Sequence, residues 1–97
     1  MNEILKFIKG FEPVKDFFLY GYCYWFAVIL SQRFGGEIWY LPVENHFICK
    51  IGGHCYDASG EVVPRRVVFK WDEYPDEIEK KRIIRDCVNK EAAYNEV

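Results

Sequence analysis

Three residues of this chain, in the order cysteine, histidine, aspartate, have side chains suited to nucleophilic catalysis: Cys23, His46 and Asp57. The nucleophile of a cysteine is its thiolate, and a helix N-terminus favours that charge. Cys23 follows Gly21 by two residues and opens the most apolar helical stretch of the sequence. Gly21 would let a substrate backbone come close. Histidine is the usual base for such a thiol, and a carboxylate beside it fixes its tautomer and stabilises the imidazolium. Each residue also has a plainer reading: Cys23 as a small buried hydrophobe, His46 as a structural strand residue, Asp57 as a turn residue ahead of Ser59-Gly60. Their joint placement favours the catalytic one.

That placement comes from a hairpin. Gly52-Gly53 is a two-residue loop signal, which pairs Ile51 with His54. Counting back, Ile48 pairs with Asp57 and His46 with Ser59. Side chains alternate along a strand and paired residues share a face. His46 and Asp57 then become diagonal neighbours on one face, roughly 7–8 Å apart at the backbone. A slip of one residue would send them to opposite faces. The same register separates Cys49 from Cys55.

The elements around the hairpin follow from periodicity. Residues 2–10 read as a short amphipathic helix stopped by Gly10, and Pro13 opens a second short helix or turn through Phe18. From Tyr22 to Phe34 the pattern is helical and apolar on most sides, ended by Gly35-Gly36. Strands are predicted over Glu37–Leu41, Asn45–Ile51, His54–Ala58 and Arg66–Trp71. Pro75 starts a helix to about Asn89, with Asp76, Glu77 and Glu79 near its positive end. The order is that of an α+β fold, with residues 1–97 as a single domain. N-terminal helices precede a buried central helix packed on a small antiparallel sheet, and a C-terminal helix follows. Trp25, Phe26, Ile29 and Leu30 are expected between the sheet and the terminal helix carrying Ile83, Ile84 and Cys87.

Composition removes several function classes. A formal net charge of −2 argues against direct nucleic-acid binding. Arg65-Arg66 and Lys80-Lys81-Arg82 are short, solvated clusters balanced by nearby acids. No run of 18 apolar residues exists, so no membrane span is expected, and no secretory signal is read in the first residues. The four cysteines are accordingly read as reduced, in a cytoplasmic protein. No cofactor is expected. A zinc site from His46, Cys49, His54 and Cys55 fits no common spacing, and alternation divides its ligands. The paired glycines lack the lysine and hydroxyl of a phosphate loop.

Four segments carry a family resemblance: Gly21-Tyr22-Cys23-Tyr24-Trp25-Phe26-Ala27, Gly35-Gly36-Glu37-Ile38-Trp39-Tyr40, Asn45-His46-Phe47 and Tyr56-Asp57-Ala58-Ser59-Gly60. Together, over residues 21–60, they resemble the core of small papain-like and transglutaminase-like cysteine proteins of bacterial toxins and phages. The resemblance implies a thiol hydrolase or acyltransferase acting on amide bonds of a protein or peptide substrate, with Cys23, His46 and Asp57 as its triad. One departure is visible. Papain-like proteases place a glutamine ahead of the cysteine as oxyanion donor, and residues 1–22 contain none; Gln32 lies downstream. The oxyanion hole then falls to backbone N–H groups, including that of Cys23, or to Tyr20 or Tyr22.

The alternative is a binding protein without catalysis. A small acidic domain with 19 % aromatics has the anchors for an interface and suits a phage- or mobile-element-encoded inhibitor of a host protein target such as a defence nuclease.

Overall fold

The computed structural model describes residues 2–20, 22–65 and 67–85. The expectations for Gly21, Arg66, Cys87 and the Tyr20 side chain lie outside what is described.

Local signals set the N-terminal half. Asn2 caps α1 (Glu3–Lys9), its side-chain oxygen accepting from the Leu5 N–H at 2.7 Å. Pro13 sits in a 3₁₀ turn, Glu12–Val14, that leads into α2 (Lys15–Tyr20). Helix α3 runs Cys23–Phe34 and ends where Gly35 turns left-handed at φ 76°. Gly36 then meets the sheet so closely that an added Cβ would lie 2.5 Å from Ile51 and 2.6 Å from the Lys50 carbonyl oxygen.

The strands are β1 (Glu37–Leu41), β2 (His46–Ile51), β3 (His54–Asp57), β4 (Gly60–Val62) and β5 (Phe69–Lys70), in spatial order β4-β3-β2-β1-β5. Every pairing is antiparallel. Gly52 and Gly53 both have positive φ, as a type I′ turn needs. The register beyond them is Ile51↔His54, Lys50↔Cys55 and Cys49↔Tyr56. Residues 77–85, here α4, are helical, and Asp76 caps them by accepting from the Ile78 and Glu79 N–H groups. The architecture is α+β.

One face of the sheet packs on α3. Cys23, Phe26, Ala27 and Leu30, at helical spacings of three and four, join Tyr40, Phe47, Cys49 and Tyr56 in the main core, and Ile83 of α4 belongs to it. The other face carries a smaller cluster of Leu41, Ile48 and Cys55. Cys49 and Cys55 therefore lie on opposite faces, and both are free thiols.

Two expectations need correction. Trp25 is 44 % exposed rather than buried, and Ile29 is only half-buried. The helix seats its Cys23–Ala27 and Phe26–Leu30 rows on the sheet, which turns Trp25 outward. Of the strand expected over Arg66–Trp71, the described residues are strand at Phe69–Lys70, and Trp71 leaves the sheet in a 3₁₀ turn. There its indole is 4 % exposed and meets the rings of Phe47 at 4.8 Å and Tyr40 and Tyr74 at 5.4 Å. Burial of a large aromatic outweighs a short edge pairing.

Among the described residues, no helix is long and apolar enough to cross a membrane.

Candidate active site

The chain brings the start of α3 and the start of β2 to the same end of the molecule. Helix α3 leads through Gly35-Gly36 into β1, and β1 returns beside β2 with Leu41 opposite His46. Cys23 is the first residue of α3, at the positive end of its dipole. His46 is the first residue of β2, after a turn in which Asn45 takes a positive φ of 50°. The Tyr40 hydroxyl donates to the Asn45 side-chain oxygen at 2.9 Å and secures that turn.

The structure places His46 Nε2 2.8 Å from Asp57 Oδ2. With Nε2 held there, Nδ1 is the other ring nitrogen, and a side-chain hydrogen bond with Cys23 is among the causes that raise the His46 pKa. Asp57 is itself anchored, because its Oδ1 accepts from the Ser59 backbone N–H at 2.8 Å and from the Ser59 hydroxyl. Ser59 is the site residue that sequence reasoning missed. Its signal was present: an aspartate two residues ahead of a serine is an Asx-turn pattern. The turn reading of Asp57 and its site reading both hold, one through each carboxylate oxygen.

The side chains of His46 and Asp57 are 20 % and 11 % exposed. Burial acts to lower the His46 pKa. The bonds to Asp57 and Cys23, and the negative charge on each, outweigh it and raise the value to about 9. Burial likewise acts to raise the Asp57 pKa, and the bonds from His46 and Ser59 overcome it and leave the carboxyl below its usual value. Both shifts favour a charged pair at neutral pH. Burial pushes Cys49 up to about 11, so that thiol stays protonated.

These shifts predict a pH profile of stability. A histidine whose pKa rises from 6.5 to about 9 on folding contributes fully below pH 6.5, and its contribution is lost as pH climbs through about 9. The gap corresponds to about 3 kcal/mol at most. Denaturant titrations across that window should show this loss in the wild type and its absence in His46→Gln. Loss above pH 9 from Cys49 and Cys55, whose pKa values burial raises, should persist in the variant.

The other candidates lie apart. His54 is exposed and pairs with Glu61 at 3.0 Å between β3 and β4. Gln32 is exposed on α3, nine residues beyond Cys23, about 13 Å along the axis, too far to assist the thiol. Tyr22 caps α3 without a side-chain capping bond, and its carbonyl accepts from the Phe26 N–H at 3.1 Å. No three His, Cys, Asp or Glu side chains among the described residues gather to hold a metal ion.

A family model described as phage YunG-like protein matches residues 4–95. The chain belongs to the phage YunG-like family. No curated protein and no solved structure matches it. In this phage YunG-like chain the matched region includes Cys23, His46, Asp57 and Ser59.

Proposed function

We propose that the protein is a cysteine hydrolase or acyltransferase of papain-like or transglutaminase-like type, acting on amide bonds of a protein or peptide. The observation that carries this reading is the single imidazole of His46, bonded to Asp57 at 2.8 Å and also to Cys23 at the start of α3. The thiolate sulfur attacks the amide carbon, a C–S bond forms, and the carbonyl electron pair moves to oxygen. Backbone N–H groups at the start of α3 face that oxyanion. The His46 imidazolium gives its Nδ1 proton to the amide nitrogen, the C–N bond breaks, and the amine leaves. Water or a second amine then attacks the thioester, with His46 taking the proton and the thiolate leaving.

An alkylation profile tests it. Iodoacetamide at neutral pH should label Cys23 roughly tenfold or more faster than Cys49 or Cys55, since only the thiolate reacts. Mass spectrometry of tryptic peptides resolves the sites. Equal rates at the three positions would remove the activated thiol and leave the rival reading, a non-catalytic binder of a host protein.

A further inference from the structure

His46 stands at the end of its strand, where main-chain support is weakest. It pairs with Leu41 of β1, whereas the ladder between β2 and β3 begins only at Cys49 opposite Tyr56. Asp57 holds one ring nitrogen at 2.8 Å. That bond anchors the tip of the side chain and leaves the backbone beneath it to be fixed by something else. The preceding residue does so. Asn45, at φ 50°, is the one non-glycine residue with positive φ among the described residues. Asparagine tolerates that left-handed region better than most residues, and here it closes the turn at positions 42–45 that joins β1 to β2. Its side-chain oxygen accepts from the Tyr40 hydroxyl at 2.9 Å. Tyr40 is 5 % exposed, and its ring meets those of Phe47 at 4.8 Å, Trp71 at 5.4 Å and Tyr74 at 6.0 Å. A ring packed in this way has little freedom to change rotamer, so its hydroxyl is a fixed point. The rigidity of the aromatic core thus passes through Tyr40 and Asn45 to the residue that begins β2.

We infer that Tyr40 and Asn45 are positioning residues for the proposed reaction: their bond sets the backbone direction at His46, and with it the line along which the imidazole meets Cys23. The inference rests on the reading of Cys23 as a nucleophile and adds to it two residues that act through His46. A shift of about 1 Å at a reacting group is enough to cost a large factor in rate. An imidazole held in line stabilises the thiolate; a displaced one does so less, and the thiolate then needs a higher pH to form.

The rate of iodoacetamide labelling at Cys23 as a function of pH tests this without knowledge of the natural substrate, with mass spectrometry resolving the sites. Tyr40→Phe removes the hydroxyl and keeps the packed ring. Asn45→Gly keeps a residue that accepts positive φ and removes the acceptor. Each should lower the rate at neutral pH by about three- to tenfold, the scale of one hydrogen bond, and move the profile to higher pH with the alkaline plateau unchanged. The double variant should shift no further than either single one, because both remove the same bond. In a His46→Gln background, Tyr40→Phe should leave the profile where it is. A merely structural loosening would act in that background as well, and would speed labelling at Cys49 and Cys55. A shift in only one single variant, additive shifts in the double variant, or an effect of Tyr40→Phe that survives His46→Gln overturns the positioning role. If His46→Gln shifts the profile and neither Tyr40→Phe nor Asn45→Gly does, that role falls and the activated thiol stands. If His46→Gln itself leaves the profile unchanged, the activated thiol falls and the positioning role with it. Should Asn45→Gly fail to fold, Tyr40→Phe with and without His46 decides alone.

Discussion

Cys23→Ala should leave a folded protein with no activity in any amide-bond assay that the wild type passes. The thiol is buried and small, so its loss costs little packing, whereas the variant lacks the sulfur that the proposed mechanism requires at the start of α3. His46→Ala should reduce the rate by about 10²–10⁴-fold, the usual worth of a positioned acid–base group. Asp57→Asn should be equal or milder, because it disturbs the tautomer of His46 without removing the nucleophile. Ser59→Ala should fall in the same direction and least of all, since the Ser59 backbone N–H still holds Oδ1. Circular dichroism establishes that each variant is folded, and peptide cleavage or ammonia release reads the activity. Full activity in folded Cys23→Ala excludes thiol catalysis. If the protein acts by binding instead, all three triad variants keep their biological effect, and exposed residues such as Trp25 carry it.

Phe26→Ala should bring the chain close to unfolding. Phe26 is 1 % exposed, and its ring meets those of Phe18 at 5.0 Å and Phe11 at 5.1 Å. It joins α2, α3 and the turn between α1 and α2, so the cavity left behind opens at a junction of three segments. The expected cost is about 3–5 kcal/mol, against a total stability of about 5–15 kcal/mol for a typical domain. Trp25→Ala is the matched control on the next residue, because its side chain is already half in water. Denaturant midpoints by fluorescence or circular dichroism check the pair. A Phe26→Ala protein as stable as the Trp25→Ala protein would contradict the packing.

Much of the site's support was legible because it depends on short-range rules. The Gly52-Gly53 loop set the register, and with it the shared face of His46 and Asp57 and the separation of Cys49 from Cys55. Glu37–Leu41 was legible to the residue, bounded by Gly36 and Pro42. Helix α3 was legible in extent but not in orientation. Its residues are apolar on most sides, so no polar face marks which row meets the sheet, and the pattern alone puts Trp25 inside. Strand β4 was hidden because Ser59-Gly60 reads as a turn alone; it is the turn and also the entry to a three-residue strand. The fate of Trp71 depends on aromatic neighbours far away in sequence, which no local pattern reports. The bonds that Asp57 accepts from Ser59 follow from an Asx spacing, which the sequence presents as an alternative to the site rather than as part of it.

The sheet's outermost strands have a consequence for how a polypeptide can be recognised. Strand β4 has three residues and β5 has two. A peptide laid along either margin would gain few main-chain hydrogen bonds, which makes the margins poor templates for docking by strand addition and equally poor seeds for sheet-to-sheet polymerisation. Under the proposed hydrolase reading, a polypeptide substrate would be chosen by what its side chains fill, not by its backbone. Disordered tails and loops that can present one residue at a time suit this requirement better than extended β-structure.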